Sequence, residues 1–106
     1  MNYKLTITKR ADELIDQIIY YLINQLNNPL AAVGLIEAVE LIYGNLEINP
    51  KMYAYLDEPF LNYRGYRKAV IPQFDYVIIF RIDEAAMCVY IVGFFHDLEC
   101  YMNKLE

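Results

Sequence analysis

GYRKAVIPQFDYVIIFRIDEAAMCVYIVGFFHDLECY, residues 65–101, decides the fold. Three runs rich in β-branched and aromatic residues, about 65–71, 74–82 and 87–95, are separated by Pro72-Gln73 and by Asp83-Glu84. They read as three strands joined by tight turns. Connections this short imply antiparallel neighbours. Arg67, Lys68 and Arg81 sit within the runs and His96 closes the last one, so scarce basic groups gather around one sheet.

Upstream, Tyr3, Leu5 and Ile7 alternate with Lys4, Thr6 and Thr8, the period of a half-buried strand. Thr8 can cap a following helix, and Asp12, Glu13 and Asp16 favour its positive end. Ala11, Leu14, Ile15, Ile18, Leu22 and Leu26 then recur at three and four residues and line one helical face, ending near Asn27. Asn28-Pro29 restarts a helix, because Asn supplies a capping oxygen and Pro fits the first helical position. Ala32, Leu35, Ile36, Val39, Ile42 or Tyr43, and Leu46 form its stripe, which Asn49-Pro50 stops. The two helices are expected as an antiparallel hairpin on the sheet. Residues 50–62 lack a sustained period and read as an irregular but apolar connection. The order is strand, helix, helix, strand, strand, strand, with a short helix over Asp97–Leu105. This defines an α+β fold in which a helical hairpin covers an antiparallel sheet.

The chain has 106 residues, 58% of them apolar and 22% charged, which suits one folded domain over 1–106 and excludes disorder. Its apolar stretches are broken by polar residues short of the ~20 needed to cross a bilayer, so no membrane partner is expected. The opening MNYKLTITKR lacks a signal peptide's apolar middle, and Cys88 and Cys100 are too few for a disulfide framework. A cytoplasmic location is the expectation. The formal net charge of −5 repels a phosphate backbone overall, so any nucleic-acid role rests on a local patch. Arg64, Arg67, Lys68 and Arg81 supply that patch, while Asp12, Glu13, Asp16, Glu37, Glu40 and Glu47 load the other half of the chain.

Arg67 and Arg81 could hold a phosphate bidentately if both project from the open face of the sheet. The competing reading is a solvated edge in which they pair with Asp75 or Asp83. His96 has a side chain that exchanges protons near neutral pH, and it serves either as an acid–base group or as a packed strand terminus. Tyr101 could lend its hydroxyl to the same site or close the core. His96 and Cys100 have helical spacing but no partners to complete a metal set, so neither metal nor cofactor is expected. Cys88 reads as a small buried hydrophobe. The chain contains no Ser, which excludes a serine hydrolase.

Taken together, YKLTITKRADELIDQIIYYL, NPLAAVGLIEAV, LEINP, GYRKAVIPQFDYVIIFRID and FFHDLECY resemble the RelE/ParE superfamily of bacterial toxins from type II toxin–antitoxin modules, also called plasmid stabilisation proteins. The resemblance covers nearly the whole chain. It implies a two-helix hairpin on an antiparallel sheet and neutralisation by a cognate antitoxin, with oligomers formed through that complex. It also implies growth inhibition by one of two routes: ribosome-dependent cleavage of mRNA, or poisoning of DNA gyrase. In the first route Arg67 and Arg81 would stabilise phosphate charge, His96 would transfer the proton, Tyr101 would assist, and Arg64 and Lys68 would bind substrate. RNA-cleaving members are usually strongly basic, whereas this chain is acidic and reads DLEC after His96. A non-catalytic homologue that acts only as a protein-binding module is the alternative.

Overall fold

The computed structural model describes residues 2–56 and 64–96. Strand β1, Lys4–Ile7, leads into helix α1, Lys9–Tyr20, whose first turn is closed by the Thr8 hydroxyl accepting from the Ala11 amide at 3.2 Å. The helix continues as a wider π turn over Tyr21–Gln25, in which the Leu26 amide donates to the Tyr21 carbonyl at 3.1 Å. Asn27, with φ of 49°, reverses the chain, a conformation that Asn tolerates better than most residues. Asn28 then caps helix α2, Pro29–Ile48, by accepting from the Ala31 amide at 3.1 Å. A single 3₁₀ turn, Pro50–Met52, follows, and the sheet resumes with β2 at Arg67–Val70, β3 at Tyr76–Asp83 and β4 at Cys88–His96.

The strand order is β1-β4-β3-β2. β2 and β3, and β3 and β4, pair antiparallel, as their short turns require. β1 instead lies parallel to β4, Leu5 opposite Val89 and Ile7 opposite Ile91. The sheet is therefore mixed rather than wholly antiparallel, because a strand that joins the others only through a helical hairpin is not bound by the short-connection rule. At the turn between β2 and β3 the Phe74 amide donates to Ile71 carbonyl at 3.3 Å, and Gln73 has φ of 68°. That geometry, with Pro72 before it, is a type II turn. The expected helix over Asp97–Leu105 lies outside the described residues.

The main core fills the space between the hairpin and the sheet. Ala32, Leu35, Val39, Ile42 and Leu46 of α2 meet Ala69, Ile71, Ile78, Phe80, Val89, Ile91 and Phe94. Leu26, expected on the buried face of the first helix, is exposed instead. The π turn inserts an extra residue per turn and rotates Leu26 off the stripe. A second buried cluster, Val77, Ile79 and Phe95 with Leu56, occupies the opposite face of the sheet. The runs YVIIF and IVGFF are apolar at successive positions for this reason: both of their faces are buried.

One expectation about apolar length is corrected. α2 has 20 residues and a mean hydropathy of 1.3 over its most apolar window, enough by length and composition to cross a bilayer. Its apolarity has two sources, an inward stripe that packs on the sheet and an outward set that does not.

Candidate functional site

The register separates the basic groups that the sequence placed together. Arg67 pairs with Phe80, and Ala69 with Ile78, so Arg67 lies on the helix side of the sheet. Arg81 pairs with Tyr90 and lies on the other side, with Val77 and Ile79; Lys68, opposite Ile79, joins it there. Arg67 and Arg81 are not brought onto one face. Arg64 occupies the exposed turn that precedes Gly65, whose φ is 85°.

Each arginine has partners of its own. Arg67 Nη1 donates to the Tyr53 carbonyl at 2.7 Å, and the guanidinium sits 3.9 Å above the Tyr55 ring. Residues 54–56 run along the outer edge of β2, the Lys68 amide donating to Ala54 carbonyl and the Leu56 amide to Tyr66 carbonyl, each at 3.1 Å. Beside this shelf Lys51 and Glu84 form a 2.9 Å ion pair, and the Tyr3 hydroxyl donates to both Glu84 oxygens at 3.1 Å. The hydrogen bond from Lys51 lowers the Glu84 carboxyl below its ordinary range and raises Lys51 above its own. Lys51, Tyr55, Gly65, Arg67, Ile82 and Glu84 enclose a shallow hollow of about 360 Å³. Arg81 stacks on Tyr90, 4.5 Å from guanidinium carbon to ring centre.

His96 ends β4 at the far end of the sheet. It pairs with Tyr76, and the two rings meet edge to face at 5.5 Å and 78°. Along β3, Tyr76 and Phe80 are four residues apart, and β2 and β4 flank β3. At ~3.3 Å per residue and ~4.8 Å per strand, the His96 and Arg67 backbones stand about 16 Å from each other. His96 instead lines a cleft of about 410 Å³ with Arg10, Gln17, Tyr21 and Tyr76 above a floor of Leu14, Ile18, Phe94 and Phe95. An imidazole, a guanidinium, an amide and two phenols over an apolar floor can bind a group that is anionic at one end and flat or apolar at the other. Sequence reading missed Arg10, Gln17 and Tyr21. Their signal is the spacing 10, 14, 17, 21, a second stripe beside the core stripe of α1. Tyr101 lies outside the described residues. Cys88 is buried, its thiol 3.3 Å from the Thr6 hydroxyl.

A helical hairpin on a four-stranded mixed sheet is the fold this chain shares with solved toxin–antitoxin systems. A family model described as ParE toxin of type II toxin–antitoxin system, parDE, matches residues 5–101, and the chain belongs to that family. Among solved structures, the chromosomal ParDE toxin–antitoxin system from P. aeruginosa is similar at a TM-score of 0.69 and 17% identity, over 89% of this chain and 95% of that one. The toxin–antitoxin complex RelBE2 from Mycobacterium tuberculosis is similar at a TM-score of 0.61 and 20% identity, over 91% of this chain and 99% of that one. No curated protein sequence matches the chain.

Proposed function

We propose that this ParE-family toxin acts in the cytoplasm by binding DNA gyrase rather than by cutting RNA, and that a cognate antitoxin neutralises it. The observation that carries this reading is the division of the basic groups. In-line attack of a 2′-hydroxyl needs a proton acceptor and cations converging within hydrogen-bond reach of one phosphate. Here Arg67 is engaged with Tyr53 and Tyr55 on one face, Arg81 is stacked on Tyr90 on the other, and His96 stands at the far end. A toxin that works by contact needs no such convergence. The net charge of −5 further disfavours a surface built to track a phosphate backbone. Membership of the ParE family and likeness to structures of toxin–antitoxin systems support the antitoxin as partner.

One observation favours the RNA-cleaving reading: His96 shares its cleft with Arg10, so a proton-transfer group and a cation line one hollow. Purified protein added to gyrase and relaxed plasmid separates the two readings. Inhibited supercoiling at micromolar protein is expected. Unimpeded supercoiling, together with codon-associated cuts in translated message that disappear in His96→Ala, would replace gyrase binding with RNA cleavage.

A further inference from the structure

Helix α2 is apolar on two sides. Beyond its buried stripe it carries the three most exposed large apolar side chains among the described residues, Leu30 at 82%, Ile48 at 70% and Leu41 at 68%. With Gly34, Glu37 and Gly44 they follow the positions 30, 34, 37, 41, 44, 48. Alternating steps of four and three mark the seam along which one helix packs on another. At ~1.5 Å per residue the seam extends about 27 Å. A Cβ placed on Gly44 would find no heavy atom within 4 Å, so the seam between Leu41 and Ile48 is open to an approaching side chain.

The charges select the occupant. Between Pro29 and Ile48 the helix holds Glu37, Glu40 and Glu47 and no Lys, Arg or His. Glu37 lies within the seam, and Glu40 and Glu47 flank it on one side. Covering the Glu37 carboxylate without a cation opposite would leave a desolvated, uncompensated charge. A second copy of α2 brings only its own glutamates to the seam, so self-pairing sets like charges together. An anionic lipid surface is repelled by the same groups. A helix with apolar residues at steps of three and four and Lys or Arg beside them satisfies both the apolar stripe and the carboxylates.

We infer that the outer face of α2 docks a cationic amphipathic helix of a partner protein, with Leu30, Leu41 and Ile48 in the seam and Glu37 and Glu40 paired to its cations. This surface is separate from the His96 cleft, and the inference does not depend on which cellular target the toxin hits. The test uses the full chain and two synthetic three-heptad peptides. Both carry Leu along the seam, and one has Lys and the other Glu at the flanking positions. Fluorescence anisotropy is expected to show the Lys peptide binding about tenfold or more tighter than the Glu peptide at low salt. Leu41→Asp is expected to abolish binding, and the double change Glu37→Lys with Glu40→Lys to reverse the preference. All three positions are exposed, and an unchanged circular dichroism melt of each variant establishes that the fold is retained. Absence of binding, equal binding of the two peptides, or wild-type affinity in Leu41→Asp would overturn the inference. So would a stable homodimer in sedimentation that Leu41→Asp dissociates, which would make a second copy the occupant.

Discussion

Arg67 and Arg81 differ in what surrounds them more than in what they are. Arg67 donates to a main-chain carbonyl and covers the Tyr55 ring, whereas Arg81 has the Tyr90 ring beneath it on an exposed face. Arg67→Ala is expected to lower unfolding free energy by about 1–3 kcal/mol through loss of a charged hydrogen bond and its ring contact. Arg81→Ala should cost less than about 1 kcal/mol, the range of an exposed cation–π contact. Urea titrations of the two variants check the order, and equal losses would contradict it. Tyr43 gives a pH signature. Burial, with a smaller contribution from the Asp12 carboxylate, pushes its hydroxyl up to about 12 from 10.0. The folded state therefore keeps this proton more tightly than the unfolded chain. Its stabilising effect is complete below pH 10 and is lost as pH rises towards 12. Melting temperature should fall less steeply over that window in Tyr43→Phe than in the parent. At this scale alternation along β3 sets Arg81 on the side of Val77 and Ile79. It could not relate the two strands, because the facing of one strand to another depends on a pairing register that neither strand encodes alone.

Among the elements, β4 and α2 each hold a glycine whose replacement by alanine should have opposite effects. A methyl added to Gly93 would run into the Phe95 ring at Cε2 and Cζ, and Phe95 is itself buried in the second core cluster. The ring has little room to yield, so Gly93→Ala is expected to destabilise by about 1–3 kcal/mol. At Gly44 nothing lies within 4 Å, and removing glycine from a helix interior should stabilise by about 0.5–1 kcal/mol. Thermal melts of the two variants moving in the same direction would contradict this packing. The helical hairpin and the three later strands were legible because caps, turns and periodicity are local: Thr8, Asn28-Pro29 and Pro72-Gln73 mark their places in the sequence. The parallel pairing of β1 with β4 was not, since no short turn joins β1 to the sheet and its direction depends on how the intervening helices pack. The π turn also escaped, because a stripe at three and four residues reads the same until an inserted residue rotates it, and Leu26 is where that rotation shows.

For the molecule as a whole, the functional surfaces divide into regions that the sequence run from Gly65 to Tyr101 only partly covers. His96 was visible as the lone histidine, but its cleft is completed by Arg10, Gln17 and Tyr21 from α1, a juxtaposition created by helix-to-sheet packing. Among the tyrosines, Tyr20, Tyr21 and Tyr55 are exposed, while Tyr43 and Tyr53 pack against the main core. The proposed gyrase reading rests on the separation of Arg67, Arg81 and His96, since a catalytic set must converge and a contact surface need not. The most direct measurement follows messenger RNA ends and plasmid supercoiling together in cells arrested by the wild-type chain and by the double variant Arg81→Ala with His96→Ala. Binding to gyrase predicts arrest by both, with reduced supercoiling and intact messages. Codon-associated cuts in the wild type, absent together with growth arrest in the double variant, would contradict it.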